Sequence, residues 1–313
     1  MFVKSTSYAN FALVKYWGKK DSEKVIPFND SVSVTWDIFK THTILQSASS
    51  FSFVLNNNPA SEKDSERVKQ FLKHFTDDVD TVKVISQNTF PTAAGLASSA
   101  SGFSALAVAA NRFFNTAFDK EQLEAVTRKG SGSAVRSLYG GVVRWRNDGT
   151  VETLAAPIED YVLVVVLLTG DKKVMPSREA MAHTVTTSPY FPAWIDIANR
   201  DANTLCTALM EGDFDTVGDT AQSNAMAMHA SMLAATPPIV YLKDETMEVI
   251  RIIDGLRQNK TECFYTMDAG PNVKVISRKH DLDTVLNALR EGGFSDLHVG
   301  RPAKRGAFID DEG

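Results

Sequence analysis

Short segments that mix apolar and polar residues, of the length expected for β-strands, fill much of the first 90 residues. The predicted strands lie at residues 2–14, 27–35, 41–45, 51–55 and 82–86. The segments at 41–45 and 51–55 are close enough along the chain to predict a hairpin. Residues 61–75 carry apolar side chains at helical spacing on one face and charges on the other, which predicts an amphipathic surface helix.

Helical patterns become more frequent further along the chain. Helices are predicted at residues 119–130, 178–187, 192–212, 214–233, 241–258 and 281–291, and strands at residues 141–145 and 161–168 and on both sides of a Gly-Pro turn within 263–276. The strand at 161–168 is apolar throughout, so we expect it to be covered on both faces. A polar stretch at 169–177 separates the two patterns. We therefore predict a chain in two parts, residues 1–175 and 176–313, with a polar tail from about residue 300.

Composition narrows the class of protein. The chain has 313 residues, of which 43% are hydrophobic and 23% are charged, as in globular proteins. A formal net charge of −5 argues against binding to nucleic acid, because its phosphates require basic surfaces. Cys206 and Cys263 have neither metal-ligand spacing nor enough partners for a disulfide framework. Since no signal-peptide pattern and no apolar run of membrane-spanning length is found, the sequence predicts a cytoplasmic protein with no membrane contact.

Residues 88–112 pass from a strand through a loop of small residues into an alanine-rich helix. The first N–H groups of a helix have no intrahelical partner and the helix dipole makes this end positive, so an anion can bind there if no bulky side chain intervenes. Ser98, Ser99 and Ser101 add hydroxyl groups that suit a phosphate or a magnesium ion. The alternative is a capping serine before a buried helix. The Walker A pattern is absent, so this segment alone does not decide between the two.

Further segments combine charge with turn-forming residues. Residues 15–20 hold three lysines, residues 130–141 surround Arg136 with glycines and serines, and Asp268 ends a strand before the Gly-Pro turn. A guanidinium on such a loop suits a carboxylate or a phosphate. Each segment also has an ordinary alternative: a solvated charge cluster, a surface arginine on a flexible loop, and a carboxylate that caps local amides. A Met/His face at residues 223–230 is typical of core packing.

Four motifs occur in order along the chain. They are residues 9–19 (ANFALVKYWGK), 91–99 (PTAAGLASS), 130–141 (GSGSAVRSLYGG) and 267–274 (MDAGPNVK). In this combination the chain resembles the diphosphomevalonate decarboxylases, a family of the galactokinase, homoserine kinase, mevalonate kinase and phosphomevalonate kinase (GHMP) superfamily. The resemblance extends over about residues 5–290.

The resemblance implies a two-part GHMP-kinase-type fold of the α+β class. An ATP-binding N-terminal domain that contains a βαβ unit and a ferredoxin-like α/β C-terminal domain would flank the active cleft. It also implies ATP-dependent decarboxylation of (R)-5-diphosphomevalonate to isopentenyl diphosphate in the mevalonate pathway, with ATP and Mg²⁺, by a homodimer. The residues that match catalytic positions are Asp268, Lys15 and Arg136. Those that match substrate-binding positions are Asn10, Tyr16, Lys19, Ser131, Gly132, Ser133, Arg136 and Arg178. Those that match the ATP-binding loop are Ala94, Gly95, Leu96, Ala97, Ser98, Ser99 and Ser101. The resemblance assigns no metal ligands.

The implied roles agree with the chemistry of the side chains. A tertiary alcohol is a poor nucleophile, so a carboxylate such as Asp268 would orient the 3-hydroxyl and accept its proton during phosphoryl transfer. A nearby Lys15 would favour the ionised carboxylate. Arg136, with Asn10, would fix the substrate carboxylate in the orientation that decarboxylation requires.

The chain departs from the family pattern in two places. Ala134 and Val135 stand where many relatives carry small polar residues, and Glu179-Ala180 stands where Asp/Glu-Gly is usual. The second departure leaves open whether Arg178 touches the substrate diphosphate. Two other functions would fit the same motifs: a kinase of the superfamily that stops at phosphorylation, such as a mevalonate 3-kinase, and a non-catalytic ligand sensor.

Overall fold

The computed structural model describes residues 2–90, 98–169 and 175–310, which form two main sheets with helices packed on them. The elements of the first part are β1 (Phe2–Val14), β2 (Lys19–Asp21), β3 (Ile26–Pro27), β4 (Ser31–Ser47), β5 (Ser52–Leu55), β6 (Asn58–Pro59), α1 (Glu62–Leu72), β7 (Val82–Asn88), α2 (Ser98–Phe113), α3 (Lys120–Gly130), α4 (Ala134–Ser137), β8 (Val142–Trp145) and β9 (Val151–Leu154). The elements that follow are β10 (Tyr161–Val166), α5 (Ser177–Thr187), α6 (Phe191–Glu211), α7 (Phe214–Leu233), α8 (Asp244–Gln258), β11 (Cys263–Met267), β12 (Val273–Arg278), α9 (Leu282–Glu291), β13 (Leu297–Gly300) and β14 (Phe308–Ile309).

Strand β4 organises the larger sheet. It pairs antiparallel with β1 along one edge, while its other edge pairs with β8 in the first half and with β7 in the second. Helix α2 packs across β1 and β4. Its alanines are small enough for close approach, and the Ser5 hydroxyl donates a hydrogen bond of 2.8 Å to the Ala105 carbonyl. The helix that begins at Ser98 is therefore fixed against the centre of the sheet.

The predicted hairpin of residues 41–45 and 51–55 is wrong. Strand β5 does not pair with β4; it pairs in parallel with β7, and α1 provides the crossover between them. The apolar face of α1 buries Val68, Phe71 and Leu72, and this burial requires the chain to cross the face of the sheet before the next strand. The crossover gives the first part its βαβ unit, as the family resemblance implies.

The second sheet is antiparallel in the order β11-β12-β10-β13. Strand β10 is buried along its whole length, which confirms the prediction that both of its faces are covered. Leu163 packs with residues of α6 and α7, and Val164 packs with residues of α8 and α9. Sheet membership alone would divide the chain between β9 and β10, ahead of residue 175, and the domain boundary itself stays a prediction.

The predicted polar tail from about residue 300 is wrong for the residues up to 310. Pro302 bridges to Trp36, the Ala303 amide donates to the Thr35 carbonyl, and β14 adds to the free edge of β1. The packing of this segment could not be predicted from its polar composition, because it depends on backbone hydrogen bonds and on small residues that permit close approach.

A single hydrophobic cluster joins the two parts. It contains Phe11 and Trp36 from the larger sheet, Leu163 from the smaller sheet, and buried residues of α6 and α7. No helix within the described ranges is both long and apolar enough to cross a membrane. The two sheets therefore share one continuous hydrophobic core.

Packing of the last segment can be tested with two glycine substitutions. A Cβ at Gly306 would lie 2.2 Å from the backbone nitrogen of Tyr139, whereas a Cβ at Gly255, in α8, would meet nothing within 4 Å. We expect Gly306→Ala to lower the free energy of unfolding by about 1–3 kcal/mol through overpacking. Gly255→Ala, the control, should raise it by about 0.5–1 kcal/mol because alanine favours the helix. Denaturant unfolding of both variants measures this, and an unchanged Gly306→Ala protein would contradict the packing described.

Candidate functional site

A cavity of about 580 Å³ lies between the two parts. It is lined by every residue of the predicted substrate and catalytic sets together with two of the predicted ATP-binding residues: Asn10, Lys15, Tyr16, Lys19, Ser98, Ser99, Ser131, Gly132, Ser133, Arg136, Arg178 and Asp268. These residues come from β1 and β2, the loops after β1 and β11, the segment between α3 and α4, and the helices α2, α4 and α5. The fold therefore brings together motifs that are more than 250 residues apart in the chain.

Asp268 is held between two lysines. Its Oδ1 lies 3.4 Å from Nζ of Lys15 and its Oδ2 lies 3.1 Å from Nζ of Lys274. The pKa of Lys15 is lowered to about 8, mainly by burial; Asp268 opposes this shift, and the Lys274 and Arg136 charges add to it. Lys274 was not predicted as a site residue. Its signal in the sequence was a lysine between two valines of a strand, and a lysine buried in such a strand usually requires an anionic partner.

Helix α7 supports both members of the Lys15–Asp268 pair through their backbones. The Asn224 side-chain oxygen accepts from the Lys15 amide at 2.9 Å, and Nε2 of His229 donates to the Asp268 carbonyl at 3.1 Å. Burial lowers the pKa of His229 to about 4, so the ring is neutral near pH 7. The predicted core role of this Met/His face is confirmed, since Met228 and His229 are both buried.

Arg136 is buried in α4, and the alternative of a surface arginine is wrong. Its Nε donates to Ser33 Oγ at 3.0 Å and to Asn10 Oδ1 at 3.3 Å, and its Nη1 donates to Ser31 Oγ at 2.7 Å. Among the residues that the structure describes, none forms an ion pair with Arg136 and none accepts a hydrogen bond from its Nη2. Burial lowers the pKa of this guanidinium to about 10, so it stays charged near pH 7.

Asn10 orients Arg136 and is itself fixed by the protein. Its Nδ2 donates to Ser137 Oγ at 2.7 Å and to the Ser133 carbonyl at 3.1 Å. Ala134 and Val135, the departures from the family pattern in this loop, are fully buried and serve packing. The loop that carries Arg136 is therefore fixed by contacts on both sides.

A second group of cations lies around Gly130. Nη2 of Arg67 donates to the Gly130 carbonyl at 2.7 Å, and Nη2 of Arg178 donates to the same oxygen at 3.3 Å. Burial lowers the pKa of Lys19, and the charges of Arg178 and Arg67 lower it further. Arg67 could not be singled out from the sequence, because the charged face of an amphipathic helix is normally solvated. These three cations form a positively charged wall of the cavity.

Tyr16 contributes a hydroxyl to the same wall. Its oxygen is buried and forms no hydrogen bond with any of the residues that the structure describes. Burial raises the pKa of Tyr16 above its usual value, so the hydroxyl remains a donor. A Cβ at Gly132 would lie 2.8 Å from this ring, so only glycine fits beside it. An unpartnered buried hydroxyl facing a cavity can donate to a water or to a ligand in that cavity.

The predicted ATP-binding residues have different outcomes. Ala94, Gly95, Leu96 and Ala97 lie outside the described residues. Ser98 and Ser99, at the start of α2, line both the main cavity and a smaller, mainly apolar cavity of about 140 Å³. The prediction for Ser101 is corrected: this residue is buried and its hydroxyl bonds with Thr41 Oγ1 at 2.7 Å, because the helix turns it toward β4.

Comparisons with known proteins agree with this arrangement. A model of the diphosphomevalonate decarboxylase-like N-terminal domain matches residues 7–156, and a model of the mevalonate 5-diphosphate decarboxylase C-terminal domain matches residues 162–298. The diphosphomevalonate decarboxylase of Candida albicans is 33% identical over 91% of this chain and 86% of its own length.

Solved structures give the same result. The mevalonate diphosphate decarboxylase of Staphylococcus aureus superposes with a TM-score of 0.93 at 32% identity, over 99% of this chain and 98% of that chain. A structure described as MDDEF in complex with MVAPP, AMPPCP and magnesium matches with a TM-score of 0.93 at 34% identity, over 100% of this chain and 99% of that chain. The expected fold class is thereby confirmed, and the chain belongs to the diphosphomevalonate decarboxylase family.

Proposed function

We propose that the cavity between the two sheets is the active site for the reaction of this family. That reaction is the ATP-dependent decarboxylation of (R)-5-diphosphomevalonate to isopentenyl diphosphate in isoprenoid biosynthesis, with release of ADP, phosphate and carbon dioxide. The observation that carries the assignment of the site is Arg136, a buried guanidinium bonded only to neutral oxygens among the described residues. It faces the same cavity as Asp268.

The charge of Arg136 calls for a carboxylate ligand. A buried charge without a counter-ion is costly, and a planar guanidinium pairs best with a planar anion. The Nη2 group and the second hydrogen of Nη1 can donate together to a carboxylate. Since Asn10 and two serines already fix Nε and Nη1, the fork is oriented before the substrate binds.

Asp268 is the group best placed to receive the 3-hydroxyl. Its Oδ1 faces Lys15, whose ammonium favours the ionised carboxylate. A substrate held with its carboxylate on Arg136 would present its C3 hydroxyl to Asp268. Asp268 then orients the hydroxyl and accepts its proton as phosphoryl transfer proceeds. Loss of phosphate from C3 leaves positive character on that carbon, which the electrons of the departing carboxylate neutralise.

The remaining groups suit the phosphates of both substrates. Tyr16, Lys19 and Arg178 provide a hydroxyl and two cations for the substrate diphosphate, and Arg67 adds a third cation to this wall. Ser98 and Ser99 at the start of α2 fit the phosphates of ATP, with the nucleotide base in the adjoining apolar cavity. Mg²⁺ bound to the nucleotide supplies charge neutralisation during transfer.

We also propose a cytoplasmic homodimer with a boundary between its domains near residue 175. Cys206 and Cys263 are both free and buried, which suits a reducing compartment. The dimer rests on the family resemblance, and sedimentation of the purified chain at several concentrations would decide it. A monomer at all concentrations would contradict it.

The first prediction tests the reaction and the role of Asp268 together. The purified chain should produce carbon dioxide and ADP in equal amounts from ATP and 5-diphosphomevalonate. Asp268→Asn should lower kcat by at least about a hundredfold, because a positioned base is lost, while both substrates still bind. Asp77→Asn, an exposed loop carboxylate, is the matched control and should keep wild-type activity.

Three outcomes would argue otherwise. ADP without carbon dioxide would indicate a kinase that stops at phosphorylation. Ligand binding without any ATP turnover would indicate a sensor. An active Asp268→Asn protein would show that Asp268 only caps local backbone amides.

The second prediction concerns Arg136→Lys, which keeps the charge and loses the planar fork. We expect kcat to fall more than the affinity for diphosphomevalonate, because orientation of the carboxylate matters most along the reaction path. Steady-state kinetics and equilibrium binding measure the two quantities. Arg290→Lys, at the exposed end of α9, is the control. Wild-type kcat with only a raised KM would mean that Arg136 supplies uniform binding instead.

The third prediction is a fall in kcat/KM as the pH rises through about 8, the pKa of Lys15. Above this pKa the amine is neutral and its ion pair with Oδ1 of Asp268 is lost, so the proton acceptor is no longer held in place; activity should be present below the pKa and fall above it. Phosphate groups titrate near about 6 and do not produce this limb. Lys15→Arg keeps the cation at all these pH values, so its remaining activity should show no fall near pH 8. An identical limb in this variant would exclude Lys15 as its cause.

A further inference from the structure

We propose that Lys274 is a positioning residue for Asp268, holding Oδ2 so that Oδ1 faces Lys15 and the substrate. This inference rests on the proposed active site. Lys274 is only 1% exposed and does not line the cavity. It therefore acts through Asp268 rather than by touching the substrate.

The surroundings of Lys274 fix its ammonium group. It extends from β12, with Nζ 3.1 Å from Asp268 Oδ2 and 3.3 Å from the Asn272 carbonyl. The ammonium lies 5.3 Å from the centre of the Phe11 ring, a distance suited to a cation–π contact. Phe11 and Asn272 are both buried. Together these contacts leave the ammonium little freedom.

The consequence for Asp268 is geometric. A carboxylate bound at one oxygen can rotate about its Cβ–Cγ bond, whereas one held at both oxygens has a fixed plane. Lys15 and Lys274 take different oxygens, and the side chain of Asp268 is still 26% exposed. A proton acceptor must lie within hydrogen-bond reach of the group that it serves, so fixing this plane fixes the reacting geometry.

A purely structural ion pair would behave differently. Replacing Lys274 with an apolar residue of similar length leaves Asp268 paired with Lys15, so no buried charge loses its last counter-ion. We therefore expect the stability of such a variant to change little while its turnover falls. A purely structural role predicts the opposite result: loss of packing in β12 would lower the stability of the variant more than its turnover.

Lys274 also has an electrostatic signature at Lys15. The charged or titratable groups that face Lys15 are Asp268 after β11, Lys274 on β12, Arg136 on α4 and His229 on α7. The positive charge of Lys274 lowers the pKa of Lys15. Removing that charge should raise the pKa and move the alkaline limb of kcat/KM to higher pH.

The test compares Lys274→Met with two other variants, Lys274→Arg and Val275→Ala. Val275 is a buried neighbour on β12 that belongs to the hydrophobic cluster with α8 and α9. Lys274→Met should lower kcat by about tenfold to a hundredfold, with little change in either KM and an alkaline limb at higher pH. Lys274→Arg keeps a cation on Oδ2, so it should lose clearly less activity and keep the limb in place. Val275→Ala should lower the melting temperature and keep kcat.

Two results would overturn the proposal. The first is wild-type kcat in Lys274→Met. The second is an equal loss of kcat in all three variants, Lys274→Met, Lys274→Arg and Val275→Ala. NMR titration of the labelled Lys15 side chain separates this inference from the proposed reaction, since it requires no turnover. If the wild-type chain proves inactive and Lys274→Met still raises the pKa of Lys15, the reaction fails and the contact stands. If that pKa does not move, the contact fails.

Discussion

The structure depends on a group of buried charges where the two sheets meet. Lys15, Lys274 and Arg136 are all nearly inaccessible to solvent, and they lie around a single carboxylate, Asp268. Isolated buried charges are strongly unfavourable, so the protein must surround these groups with oriented polar atoms. It does so with serine hydroxyls and Asn10 at Arg136, and with Asp268 at both lysines. The remaining positive charge would be neutralised by the anionic substrates proposed for the site.

Neither part of the fold could build this arrangement alone. Lys15 follows β1 of the larger sheet, whereas Asp268 and Lys274 belong to the turn and strand of the smaller one. Helix α7 links them, because Asn224 and His229 bind the backbone of Lys15 and of Asp268 from one helix. The hydrophobic cluster that crosses both sheets keeps α7 in place. Packing over the whole interface therefore sets the distance between Lys15 and Asp268, and substitutions in the core far from the cavity should change it.

Most elements could be predicted from the sequence for physical reasons, whereas the residues of the candidate site were assigned through the family resemblance. Periodicity identifies helices such as α1 and α7, and an apolar run identifies β10, because each reports local burial. Strand partners depend on contacts that local patterns do not encode, so β5 was assigned to β4 instead of β7. The attachment of residues 302–310 depends on backbone bonds, which composition does not reveal. Lys274 and Arg67 resemble ordinary surface charges until the fold shows that one is buried against Asp268 and the other lines the cavity.

The charge excess also bears on product release in the proposed reaction. The carboxylate of the substrate would pair with Arg136 and so neutralise a buried cation whose donors are already oriented. After decarboxylation the product retains its diphosphate but no longer has the group that balanced Arg136. In the proposed site its diphosphate would keep the contacts with Tyr16, Lys19 and Arg178, which line the same cavity. The product would then bind less tightly than the substrate by whatever the Arg136 pair contributes, about 1.5–3 kcal/mol for a hydrogen bond to a charged group. In the proposed mechanism, the residue that orients the carboxylate for departure would thus also favour release of the product.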